Sequence, residues 1–169
     1  EYMEMAVENL KQQIPKTDLS EAARRIGADF DGRKLTLRVM GKPFSVDTQG
    51  NLSAEIHINA WLAVPLLNYV RHSKGVPVSG NWITFRELKG GPERYNHFQR
   101  TCETPLKQIA DAYPDLFSDM LEIFAGRRTA HPHINSDISV VLHPLPLLPV
   151  MFCYWEPEEG MGSSLHIYF

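Results

Sequence analysis

Cysteine is scarce in this chain. Cys102 and Cys153 are the only two in 169 residues, far apart and outside any CxxC. Two thiols make no disulfide framework, and a domain of this length does not need one, so the reading is free thiols in a reducing cytoplasm. Nor can two cysteines hold a four-cysteine cluster. A basic surplus is also missing: the net charge is −3, and the only concentrated basic spots are Arg24-Arg25 and Arg127-Arg128. These are too small a footprint for phosphate backbones, so no nucleic-acid partner is expected. No apolar run approaches the roughly 20 residues that span a bilayer, and no membrane partner is expected either. The opening Glu1-Tyr2-Met3-Glu4 has neither the basic start nor the apolar core of a secretion signal, which agrees with a cytoplasmic location. HExxH, GxSxG and P-loop motifs are absent, and Gly90-Gly91 is a lone pair, too little to argue for a phosphate cradle.

What is present is an ordinary globular mixture, 43% hydrophobic and 22% charged, of a length that suits one domain over residues 1–169. Tyr2, Ala6, Leu10 and Ile14 recur every fourth residue and predict an amphipathic helix stopped by Pro15. Asp18 and Glu21 have capping-box spacing and Gly27 is a natural stop, which predicts a short helix from Leu19 to Ile26. The period then changes to two. Leu35, Leu37 and Val39 alternate with polar or long neighbours, Gly41-Lys42 makes a turn, and Pro43 to Val46 returns as the second strand of a hairpin. Trp61, Val64, Leu67 and Val70 predict a helix kinked or restarted at Pro65, followed by a loop from Gly75 to Gly80. A long helix is expected from about Pro92 to Ala112, with Pro92 opening it, and another from Asp115 to Ala125, closed by Gly126. The last third is β. Ile138–Leu142, Val150–Trp155 and Ser164–Phe169 are rich in branched and aromatic residues and predict an antiparallel meander, expected to join the first hairpin in one sheet. The fold class is α+β: a mostly antiparallel sheet from an N-terminal hairpin and a C-terminal meander, packed against helices from the N-terminal and middle regions.

Three sets of residues carry possible chemistry. His131-Pro132-His133 places two imidazoles on one side of an extended chain, a candidate metal pair with Asp137 or His143 as a third ligand. His143, Cys153 and His166 lie on three successive strands and would form one soft nitrogen–sulfur site if the register aligns them, while a one-residue slip would send one to the other face. Trp82, Phe85 and Arg86 belong to a segment that ends in Gly90-Gly91-Pro92 and enters a helix. They read either as core anchors or as a ligand wall in which Arg86 pairs a carboxylate. His97 and Cys102, five apart on a regular helix, would face apart and make no nucleophilic pair. Glu156, Glu158 and Glu159 read as a solvated turn.

Several stretches together carry a family resemblance: LRVMGKPFSV from Leu37 to Val46, Leu66-Leu67-Asn68-Tyr69-Val70, the run Val78 to Leu88 with Gly90-Gly91, and Leu145 to Val150 ahead of Trp155. The chain resembles the domain-of-unknown-function family thirty-seven eighty-six from about Ala22 to Phe169. The resemblance implies a protein of anaerobic metabolism and carries no catalytic residues with it. Some relatives attach a four-cysteine iron–sulfur module similar to that of corrinoid iron–sulfur proteins, a motif this sequence does not contain. Two functions are therefore expected to compete. One is a binding module for a small cofactor-like ligand (a corrinoid or haem) or an iron–sulfur protein partner, with Trp82, Phe85, Arg86, His143, Cys153 and His166 as cofactor-binding candidates. The other is a metal-dependent hydrolase built on His131, His133 and a carboxylate. A plain interaction domain, marked by an exposed apolar patch, is the third possibility.

Overall fold

The computed structural model describes residues 1–169. The chain is α+β, with two antiparallel four-stranded sheets and helices. It divides into two compact units, Glu1–Val78 with Pro144–Leu147, and Ser79–His143 with Leu148–Phe169.

The first unit opens with α1 (Tyr2–Gln13), which passes into a tight turn at Ile14–Lys16 where Pro15 removes the next amide donor. Helix α2 (Leu19–Ile26) lies where the capping signals put it. The Asp18 carboxylate accepts the Glu21 N–H at 3.1 Å, and Gly27 closes the helix in the left-handed conformation at φ 70°. The first sheet follows in the order β1 (Asp29–Phe30), β2 (Lys34–Val39), β3 (Lys42–Asp47), β4 (Leu52–Ala54). Met40 and Gly41 both take positive φ, the geometry that matches strand twist in a two-residue hairpin turn, and this sets Arg38 opposite Pro43. Leu35, Leu37 and Val39 are buried with Phe44 and Val46 and pack with Ile14, Ala22, Ile26, Leu66, Leu67 and Val70 into one core.

Helix α3 (Ala60–His72) runs through Pro65 as one element, rather than restarting there. Its buried residues are Ala63, Leu66, Leu67 and Val70. Trp61, expected on that face, is 75% exposed. Two residues of helix turn the direction by about 200°, so Trp61 cannot share a face with Ala63. The Arg25 guanidinium ties α2 to the end of α3, donating to the Val70 carbonyl at 3.3 Å while its Nε holds Glu21 at 3.1 Å. The turn Pro144–Leu147 belongs to this unit: Met40 N–H donates to the Pro144 carbonyl at 3.2 Å and Leu147 N–H to the Tyr69 hydroxyl at 3.1 Å.

The second unit contains α4 (Gly91–Phe98), a wide π turn at Gln99–Glu103, α5 (Thr104–Ala112) and α6 (Pro114–Ile123). The expected long helix is thus a continuous helical path with a π turn in its middle. The second sheet has the order β5 (Arg127–Arg128), β6 (Ile138–Leu145), β7 (Leu148–Trp155), β8 (Ser164–Tyr168). The meander therefore does not join the first hairpin in one sheet. Each sheet is completed by strands of two or three residues, β1, β4 and β5, which are too short to show a period of two in sequence. In β7 and β8 the alternation puts Phe152, Tyr154, Leu165 and Ile167 on the side that packs with Ala110, Phe117 and Leu121. No helix is long and apolar enough to cross a membrane.

Gly50 shows how closely the first unit is fitted. It holds φ 87°, and a Cβ there would stand 2.6 Å from the Lys11 carbonyl oxygen. Gly50→Ala combines a strained backbone with overpacking and is expected to cost about 1–3 kcal/mol, read as a lower midpoint in urea unfolding at unchanged slope.

Candidate functional site

The side of β7 and β8 turned away from that core carries the chemistry. Cys153 pairs with His166, Trp155 with Ser164 and Met151 with Tyr168, so these six side chains share one face. The register thus brings together two members of the expected sheet trio. The third, His143, is solvent-exposed on β6, and no three His, Cys, Asp or Glu side chains stand close enough to hold a metal ion. Cys153 is fully buried beside the Ser139 hydroxyl at 3.7 Å, and burial pushes its thiol up from the ordinary value. Such a thiol stays protonated and is a poor ligand or nucleophile.

His166 is different. Its imidazole lies between the Glu103 carboxylate, 3.8 Å from Nδ1, and the Trp155 ring, centroid to centroid 5.6 Å and edge on. Glu103 ends the π turn and is 4% exposed, yet its charge is well satisfied. Oε1 accepts the Tyr95 hydroxyl at 3.1 Å and Oε2 accepts the Ile167 N–H at 2.9 Å. Burial pushes this carboxyl up, but the bonds from His166, Ile167 and Tyr95 outweigh it and hold Glu103 below the usual glutamate value. Tyr95 is held in turn by the Arg86 guanidinium, 4.0 Å above its ring. Arg86, Tyr95, Glu103 and His166 therefore form one connected chain of contacts.

A cavity of about 360 Å³ opens beside His166. Trp155 and Tyr168 supply aromatic walls, and Asp137, Glu156 and Glu158 supply carboxylates. The Trp155 indole is fixed by its Nε1–H bond to the Asn135 carbonyl at 2.6 Å, and Asp137 accepts the Glu156 N–H at 2.7 Å. In the first unit a cavity of about 550 Å³ lies between α1 and the start of α3, lined by Glu4, Glu8, Lys11 and His57 among others. Lys11 there pairs with Glu8 at 3.2 Å, and none of the candidates read from the sequence takes part.

The remaining candidates are placed as follows. Phe85 stacks on Phe98 at 4.1 Å between centroids and meets the edge of Phe169 at 6.1 Å, so it anchors its segment. Ile83 exchanges two backbone bonds of 2.9 Å with Phe169, while Trp82 is half-buried beside it in sequence. His131 and His133 have ring centroids 5.8 Å apart, and His131 Nδ1 accepts the His133 N–H at 3.2 Å, which engages one of the nitrogens a metal would need. Neither Asp137 nor His143 completes a metal cluster with them. The π turn also places Thr101, whose hydroxyl donates to the His97 carbonyl at 2.8 Å, next to half-buried Cys102. Four large apolar side chains, Ile109, Tyr113, Leu116 and Ile123, remain exposed along α5, α6 and their junction.

Glu103 and Tyr95 were not among the candidates, and their signal in sequence is faint. On a regular helix eight residues turn by about 80° beyond two full circles, which would separate the two side chains. The π turn between them changes that phase. Glu156 and Glu158, read as a solvated turn, prove to edge the cavity as well.

The profile of Domain of unknown function (DUF3786) matches residues 18–169. The chain belongs to this family. No curated protein and no solved structure matches it. The DUF3786 match takes in both sheets and every residue of the Glu103–His166 site.

Two outcomes test this description. Glu103→Gln, which keeps the shape but removes the charge, is expected to lower stability at neutral pH by about 1–3 kcal/mol, the cost of weakening bonds to a buried acceptor. Because folding depresses the Glu103 pKa, its contribution is complete above the ordinary value of 4.5 and is lost as pH falls through the folded-state value. Wild type and variant should therefore converge in acid unfolding titrations, and parallel curves would show that Glu103 is not the linked group. With iodoacetamide, Cys102 should be alkylated in the folded protein while Cys153 waits for unfolding, as peptide mass spectrometry would report.

Proposed function

We propose that this DUF3786 domain is a small-ligand-binding module, and that its ligand occupies the cavity beside His166. The observation that carries the reading is the convergence of a fixed indole, a second aromatic ring and a carboxylate-backed imidazole on one concave space. The Trp155 indole is held in place beforehand, so a ligand does not have to order it. Glu103 lies 3.8 Å from Nδ1 of His166, and the same imidazole lines the cavity. At about 360 Å³ the cavity lies near the lower end of small-molecule sites, which favours a compact ligand over a tetrapyrrole.

Native mass spectrometry of anaerobically isolated protein, set against its denatured mass, is the direct test. A retained small molecule is expected. His166→Ala should lose it, and a circular dichroism spectrum like that of the wild type should show that the fold is kept. A bare mass, together with Trp155 fluorescence indifferent to a cellular small-molecule extract, would reject the reading.

A further inference from the structure

We infer that the ligand of this cavity is a small organic cation whose recognised group is a methylated ammonium. The inference rests on reading the cavity as a ligand site and goes on to the charge that the site selects.

Three carboxylates, Asp137, Glu156 and Glu158, edge the space, and no lysine or arginine lines it. None of the three is joined to a cation elsewhere in the chain by an ion pair. An anionic ligand would meet uncompensated like charge here, which costs more in a concave site than on an open surface. A metal ion is a poor fit for a different reason. The carboxylates are dispersed around the rim, and no three acidic, histidine or cysteine side chains converge closely enough to chelate one.

A bulky cation with spread charge meets both features. Its alkyl surface suits the faces of Trp155 and Tyr168 and the Met161 side chain, all of which line the space. Its charge suits the ring quadrupoles and the dispersed carboxylates together. The Trp155 ring is already fixed by its bond to the Asn135 carbonyl, so little ordering remains for the moment of binding.

The test uses three probes of one shape and three charges on the full chain. They are choline, its neutral isostere in which carbon replaces nitrogen, and the tert-butylacetate anion. Each is titrated at low salt while nitrogen-resolved NMR follows the Trp155 indole and the His166 and Tyr168 amides. Choline should shift these signals with an affinity about tenfold above the neutral isostere, and the anion should leave them unmoved. The shifts should weaken in the double variant Glu156→Gln, Glu158→Gln, whose exposed side chains leave folding intact, and largely vanish in Trp155→Ala. Trp155→Phe, which keeps an aromatic face, should restore part of the binding should the alanine variant fold poorly. Equal or tighter binding of the neutral or anionic probe at the same residues would overturn the cation and leave the cavity standing as a site. Silence from all three probes at these signals would count against the cation and the cavity alike.

Discussion

A carboxylate that cannot reach water organises the second unit. Burying an ionised glutamate is costly unless its oxygens find donors, and Glu103 gives each oxygen one, from two different elements. Tyr95 comes from α4 and Ile167 from β8, so the charge is stable only when helix and strand are in place together. The π turn is part of the same arrangement, because it sets the phase at which Glu103 leaves the helix. Strand β8 also ends the sheet, and an unpaired amide on such an edge invites pairing with another chain. Glu103 occupies the Ile167 amide, and Ile83 pairs with Phe169 just beyond it. One interaction thus positions a helix, closes a sheet edge and places a carboxylate behind His166.

The sequence is most legible where a local signal suffices. Helix α2 is bounded by Asp18 and Gly27 because capping is decided within four residues of each end. The β2–β3 hairpin is equally local, with alternation in both arms and a glycine in the turn. Legibility fails where long-range contacts decide. Trp61, Val64, Leu67 and Val70 are each three apart, but three such steps add up to about 180° on a helix, so Trp61 lies opposite the buried face of α3. The two-residue strands β1 and β5 exist only because a longer neighbour pairs with them. Single sheet or double was a question about those edges.

The candidate site follows the same division. Pairing of Cys153 with His166 was within reach, because both fall in strands of clear pattern and only their register was open. The meaning of the pair was not. Cys153 is sealed among neutral hydroxyls and behaves as a small apolar residue, while His166, directly across the ladder, half faces solvent. Register fixes which face a side chain occupies, but burial along one face still varies from the centre of a sheet to its edge. Tyr95 and Glu103 lay beyond sequence reasoning for another reason: their meeting depends on a wide turn that no residue in Gln99–Glu103 announces.

In the proposed site, the two sides of His166 would divide stability from recognition. On one side its neighbour is a buried carboxylate, each oxygen of which accepts a hydrogen bond from within the fold. On the other side the Trp155 ring is fixed, but the carboxylates at the rim have no cation. Solvent can screen such exposed charges well enough for the fold to stand without a partner. A ligand that excludes that solvent would strengthen each interaction it makes, because the local dielectric falls as water leaves. Under the proposed reading, the cost of charge burial is kept in a contact that is always made, and the gain from charge pairing would come only with a bound cation.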